Sequence, residues 1–153
     1  MSITIGADPE VFFKDVTTNQ VVPICGLLGG SKDAPLPMAG MPAGFAVQED
    51  NVMAEFNIPA CSNASQFSEH IGEGLIKVRD LVRTNNENLD FEFNGEAMFT
   101  FDQLDSRQAN AFGCSAEYDA YTQGHRVQSV DPASLERDTG AWRFAGGHVH
   151  VGY

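Results

Sequence analysis

The stretch FAVQEDNVMAEFNI, residues 45–58, decides how the chain is to be read. Apolar and polar residues alternate on both sides of Asp50-Asn51, which is a strand period interrupted by a turn pair. Folded back at that pair, Phe45, Val47, Val52, Ala54, Phe56 and Ile58 share one face and point to a core. Gln48, Met53, Glu55 and Asn57 take the other face, with Glu49 and Asp50 at the turn. That second face suits either plain solvent exposure or the lining of a polar active-site channel.

Working outward, Ser2–Phe13 reads as two strand pieces around GADP, with Pro9 marking an edge or bulge because it lacks a ladder donor. Val21–Ile24 is a short strand, and Cys25–Gly44 is a long Gly/Pro-rich loop of the kind that more often serves a function than not. The apolar positions Phe67, Ile71, Leu75, Val78 and Leu81/Val82 predict a helix over Ser65–Val82, opened by Asn63 and Gln66 and stopped near Asn85-Asn86. Gly72 and Gly74 lie inside that helix, which suggests close packing on a sheet. Asn94-Gly95 predicts a hairpin between Leu89–Phe93 and Ala97–Phe101. Ser106–Phe112 reads as a short helix capped by Gly113, and Ala141–Tyr153 as a terminal strand, whereas Glu117–Gly140 has no clear period. Strands, a helix, then strands again give an α+β fold with a mainly antiparallel sheet, in one domain over residues 1–153.

Composition narrows the function. The net charge of −12 argues against a nucleic-acid partner and against docking on an anionic membrane. No apolar run is long enough to span a bilayer, and the first residues lack a secretory n-region. Cys25, Cys61 and Cys114 form no CxxC pair, which fits reduced thiols in a cytoplasm.

Two clusters carry the chemistry. In RFAGGHVHVGY, His148 and His150 point the same way if the segment is a strand, so they share a ligand or are a pair of ordinary exposed histidines. Gly146 and Gly147 let a ligand approach the backbone, and Arg143 offers a planar fork for phosphate or carboxylate. The second cluster is acidic: Asp8 and Glu10 share a face of the first strand, and Glu55 lies on the polar face of the hairpin, with Glu49 and Asp50 at its turn. Carboxylates brought together with few cations repel unless a divalent ion intervenes, and oxygen donors with one or two imidazoles suit Mg²⁺ or Mn²⁺. Lys32, in GGSKDAPLP, follows no Walker spacing but is a candidate phosphate or carboxylate contact. Cys114 is a weak candidate nucleophile, and Glu117 and Asp119 are weak candidates for binding an amine.

Taken together, GADPEVFF, GGSKDAPLP, VQEDNVMAEFNIP, FGCSAEYDAYT and RFAGGHVHVGY resemble the phage-encoded type-2 COOH-NH2 ligases, carboxylate–amine ligases of the glutamine synthetase and glutamate–cysteine ligase superfamily. The resemblance implies a sheet curved into a half-barrel funnel with helices outside. It implies ATP and Mg²⁺ (or Mn²⁺) as cofactors, and small-molecule or peptide carboxylates and amines as substrates. Glu10, Glu49, Glu55 and His148 would then be metal ligands, Glu55 and His148 would act in catalysis, and Lys32, Asn57, Arg143, Gly146, Gly147 and His150 would bind nucleotide or substrate. The superfamily's later strands, with their arginines and last metal acid, have no counterpart up to Tyr153, so the expectation is the N-terminal portion of such a catalytic domain. An open edge at the terminal strand would invite a second copy or a second chain to complete the sheet. The expected compartment is the cytoplasm, that of the host if the protein is phage-encoded. A metal-dependent hydrolase using His148, His150 and Glu55, and a non-enzymatic assembly unit, are the alternatives.

Overall fold

The computed structural model describes residues 2–110 and 142–153, with the backbone of two short strands between them. The architecture is α+β, and every strand pair is antiparallel. The first piece splits at Asp8-Pro9 into β1 (Thr4–Ala7) and β2 (Glu10–Asp15). These are followed by β3 (Gln20–Val22), a two-residue β4 (Leu36–Pro37) inside the Gly/Pro-rich loop, β5 (Ala46–Asp50) and β6 (Met53–Asn57). Helix α1 covers Ala64–Asn85. Then come β7 (Leu89–Glu92), β8 (Glu96–Met98), a 3₁₀ turn at Phe101–Leu104 and the single-turn α2 (Arg107–Asn110). The paired β9 (Tyr118–Asp119) and β10 (Gly124–His125) precede β11 (Trp142–Phe144) and β12 (Val149–Gly152).

The main sheet runs β3-β2-β6-β5-β4, with β7 also paired to β2. β1 pairs with β12 and continues alongside the main sheet, because Ile58 N–H donates to the Ala7 carbonyl and Ile5 bridges Cys61. The described strands form open sheets, with no closed barrel among them.

The hairpin turns at Asn51-Val52, one residue later than the sequence suggests, with Asn51 in the left-handed region at φ 55°. Asn tolerates that conformation far better than a β-branched residue. The shift moves the pairing partners but keeps the paired strand side chains on their expected faces, because both registers have the same parity. Val47, Ala54, Phe56 and Ile58 enter the main core with Val11, Phe13 and the α1 residues Val78 and Val82. Val52 does not join them: it is buried with Met53, Phe12, Phe99, Leu104 and Ala109 in a second cluster on the opposite side. The polar face of the hairpin is therefore covered at its turn end.

α1 begins as the sequence predicts. Asn63 Oδ1 accepts the Gln66 N–H at 2.9 Å, while Gln66 Oε1 accepts the Ser62 N–H. The helix runs one residue earlier and three later than the predicted Ser65–Val82. Gly74 faces the sheet so closely that a Cβ there would collide with the Phe56 ring, whereas Gly72 has open space. Close packing thus explains one glycine of the two.

Two expectations are corrected. β7 and β8 do not pair across Asn94-Gly95: β7 joins β2, where Phe91 packs on Phe13 at 5.0 Å between rings, and β8 joins β11. The terminal segment is not one strand but two, separated at residues 145–148. No helix among the described residues is long and apolar enough to cross a membrane. The Gly113 cap, Cys114, Glu117 and most of the region up to Gly140 lie outside the described residues.

Candidate functional site

Register places three polar side chains in one row. Glu10 of β2 stands opposite Glu55 of β6, and Glu55 stands opposite Gln48 of β5. Residues directly opposite across antiparallel strands project on the same face, so the row crosses three strands. Asp50, two residues on from Gln48, shares that face. One oxygen each from Glu10, Asp50 and Glu55 lies within 4.8 Å of the others.

Two N–H groups hold the row in place. Gln48 Nε2 donates to Glu55 Oε2 at 2.7 Å, and the Gly146 N–H donates to Glu10 Oε2 at 2.7 Å. Gln48 and Glu55 are both buried. Burial raises the Glu55 carboxyl above its ordinary value; the Gln48 bond pulls the other way, and Asp50, Asp8 and Glu10 add to the rise. Burial likewise raises Glu10, opposed by the Gly146 bond and reinforced by Asp50. Two carboxylates directly opposite each other are mutually destabilising, and a proton or a cation relieves them. The donors are hard oxygens with no thiolate among them, a set that fits Mg²⁺ or Mn²⁺.

Asp8 organises the histidines. Its Oδ1 accepts the His148 N–H at 2.6 Å, its Oδ2 lies 3.1 Å from His150 Nε2, and His148 Nδ1 is 3.4 Å from Oδ1. The two rings do point the same way, with centroids 6.3 Å apart, although His148 precedes the strand. Both turn to Asp8, and neither belongs to the three-acid group. Gly147 fits here by close approach: a Cβ would come within 3.0 Å of Pro9 Cα. The Gly146 N–H, which the resemblance assigns to a substrate carboxylate, is spent on Glu10.

Other expected site residues are placed elsewhere. Glu49 alternates away from Glu55, and its carboxylate accepts the N–H groups of Gly26, Leu28 and Gly29 and the Gln108 amide, at 2.7–2.9 Å. Burial works to raise Glu49, but these four donors outweigh it and hold the carboxyl below its ordinary value. Such an anion anchors the loop, and the structure does not bring it to the other acids. Arg143 donates from Nε to Asn51 Oδ1 at 2.9 Å and from Nη2 to the Ala109 carbonyl at 2.8 Å, tying β11 to the hairpin turn and α2. Burial lowers its pKa from the usual arginine value. Lys32 sits exposed in the tight Ser31–Ala34 turn. Asn57 stays on the Glu55 face.

The site residue not singled out from sequence is Gln48; the sequence puts Asp50 in the acidic cluster but only at the turn, and Asp8 beside Glu10 without its role as organiser of the histidines. Strand parity alone puts Gln48 and Asp50 beside Glu55. Cys61 is buried and donates to the Pro59 carbonyl, with His70 Nδ1 3.3 Å away, and Cys25 donates to the Asn51 carbonyl. Neither reaches the acid row. No family model, curated protein or solved structure matches the chain.

Proposed function

We propose that this chain carries the metal-binding part of an ATP- and divalent-cation-dependent carboxylate–amine ligase with a glutamine synthetase-like half-barrel. The observation that carries the reading is the row Glu10–Glu55–Gln48, buried at Glu55 and Gln48 and half-buried at Glu10, with Asp50 beside it. The resemblance of the motifs to those of the type-2 COOH-NH2 ligases suggests the reaction class.

Glu10, Asp50 and Glu55 would hold Mg²⁺ or Mn²⁺, which when bound neutralises phosphate charge during phosphoryl transfer. The chain's own residues then have defined tasks. Gln48 and Gly146 fix one oxygen of Glu55 and of Glu10, so the remaining oxygens face the site without reorganising. Asp8 holds His148 and His150 at the rim, where an imidazole N–H meets a phosphate or carboxylate oxygen. In the reaction, a substrate carboxylate oxygen bonds to the γ-phosphorus of ATP as the bond to ADP breaks. The amine nitrogen then bonds to the acyl carbon, inorganic phosphate leaves with the carbon–oxygen bond, and the nitrogen loses a proton. Acid and amine are small molecules or peptides, and a second copy or a second chain would complete the sheet. The cytoplasm, that of a phage host, is the compartment in keeping with this activity.

Titration calorimetry with Mg²⁺ and a non-hydrolysable ATP analogue tests the reading. Binding of both, lost in Glu10→Gln and Glu55→Gln, is the expected result. Metal binding with indifference to nucleotide would replace the ligase with a hydrolase. A discrete oligomer in light scattering, with neither ligand bound, would replace it with an assembly unit.

A further inference from the structure

The three acids of the row are not held alike. Glu10 Oε2 accepts the Gly146 N–H, and Glu55 Oε2 accepts Gln48 Nε2. Asp50 accepts no hydrogen bond from any described residue, although one of its oxygens lies within 4.8 Å of an oxygen of each of the other two. Glu55 is only 9% exposed, and its Oε1 has no donor among the described residues. An enclosed carboxylate oxygen without a donor, beside two more carboxylates, is relieved by a hard cation. Asp50 belongs to that group only if its side chain points into it. A carboxylate without a donor is free to change rotamer, so its aim has to come from the backbone that carries it.

That backbone is clamped on both sides of Asp50. Before it, Glu49 turns to the opposite face and is bound by the N–H groups of Gly26, Leu28 and Gly29. After it, Asn51 sits in the left-handed region and is buried. Asn51 Nδ2 donates to the carbonyls of Gln108 and Ala109 at 3.3 and 3.1 Å, and its Oδ1 accepts from Arg143 Nε. One side chain spans the two halves. Gln108 Nε2 donates to Glu49 Oε2 at 2.8 Å and to the Asn51 carbonyl at 3.1 Å. A side-chain amide has two N–H donors, and both are used on the residues that flank Asp50. Gln108 is itself fixed within α2, where Ser106 Oγ accepts the Ala109 N–H at 3.0 Å. The bridge ties residues 49 and 51 to one point and so restricts the backbone angles from which the Asp50 side chain departs.

We infer that Gln108 is a positioning residue of the cation site: it hydrogen-bonds to none of the three acids, and it sets Asp50 against Glu10 and Glu55 by bridging the two neighbours of Asp50. The inference rests on the cation reading of the row and not on the ligase chemistry. The test titrates Mn²⁺ into the nucleotide-free chain and counts the free ion by electron paramagnetic resonance. Gln108→Leu, which keeps the bulk and removes both donors, should weaken Mn²⁺ about tenfold, as the loss of groups that orient metal ligands does. Asp50→Asn should weaken it at least as much. The double variant separates positioning from general damage. With Asp50 already lost, Gln108→Leu should cost about twofold or less, because the two residues act as one unit. Asn51→Gly keeps the left-handed backbone, removes the side-chain half of the clamp and should weaken Mn²⁺ several-fold. It takes the place of Gln108→Leu in both backgrounds if that variant does not fold. Undiminished Mn²⁺ affinity in the clamp variant, or the same loss with and without Asp50, overturns the positioning role and leaves the cation site standing. A wild-type chain that binds no Mn²⁺ overturns the role and the cation site together.

Discussion

Glu49, half-buried, and Glu55, buried, are separated by one hairpin turn, and they are carboxylates of opposite kinds. Glu49 is surrounded by donors, three from the loop backbone and one from Gln108. Among the described residues Glu55 has one donor, Gln48, and it faces a second carboxylate across the strand pair. The first arrangement satisfies a negative charge within the chain. The second leaves charge unsatisfied, and that is the condition under which a cation from solution binds. Burial alone therefore does not mark a functional acid; the balance of donors to neighbouring carboxylates does.

The largest test breaks the Glu49 side. Glu49→Ala leaves four N–H groups without their acceptor and is expected to cost about 3 kcal/mol of unfolding free energy in urea titration. A loss below about 1 kcal/mol would mean that water replaces the carboxylate easily and that the loop is not anchored by it. On the other side, Glu55→Gln keeps an oxygen for Gln48 and removes the like-charge opposition to Glu10. In metal-free buffer it should leave the protein about 0.5–1 kcal/mol more stable. With saturating Mg²⁺ the order should reverse, since a ligand that binds only the native state adds to wild-type stability and not to the variant. A Glu55→Gln protein less stable than wild type without metal would show that the row is a structural network.

pH separates the two groups as well. Glu49 lies below the ordinary carboxyl value of 4.5, so its stabilisation is complete above that value and is lost as pH falls through its own lower one. Glu10 and Glu55 lie above 4.5, so their contribution is complete below it and is lost as pH rises through their raised values. The stability difference between wild type and Glu49→Gln should shrink on acidification. The difference between metal-free wild type and Glu10→Gln should grow with rising pH, in favour of the variant. Parallel curves for the two variants would erase the contrast.

Sequence reading sorted the strand faces of the hairpin correctly, because strand parity survives a one-residue error in the turn, but it misplaced Val52, which the shifted turn takes out of the strand. It also found α1, whose period and Asn63 cap are local. It misassigned Glu49, because the donors that satisfy it come from Gly26, Leu28, Gly29 and Gln108, and no periodicity links those positions to residue 49. The same parity that placed Glu55 should have sent Glu49 to the Val47 side and brought Asp50 to the row. The Asn94-Gly95 signal failed for a different reason. Turn chemistry permits a hairpin, but Phe91 gains more by packing on Phe13 and Phe93, and β8 finds β11, a partner distant in sequence. The second core cluster was invisible because Phe12, Val52, Ala97 and Leu104 meet only in three dimensions.

A third kind of carboxylate gives the smallest expected effect. Glu92 meets a true cation, Lys14 Nζ at 3.2 Å, and the two side chains are 31% and 18% exposed, lysine first. Here charge is paired, as it is not at Glu55, but both groups are more open to water than Gln48 or Glu55. Solvent screens the attraction, and ordering two long side chains offsets much of what remains. A double-mutant cycle with Lys14→Met and Glu92→Gln should give a coupling of about 0.5 kcal/mol, decreasing with added salt. A coupling near that of a buried pair, about 3 kcal/mol, would mean that opposite charge rather than dehydration sets the worth of a carboxylate on this sheet. The contrast between Glu49 and Glu55 would then have to be restated in terms of charge count alone.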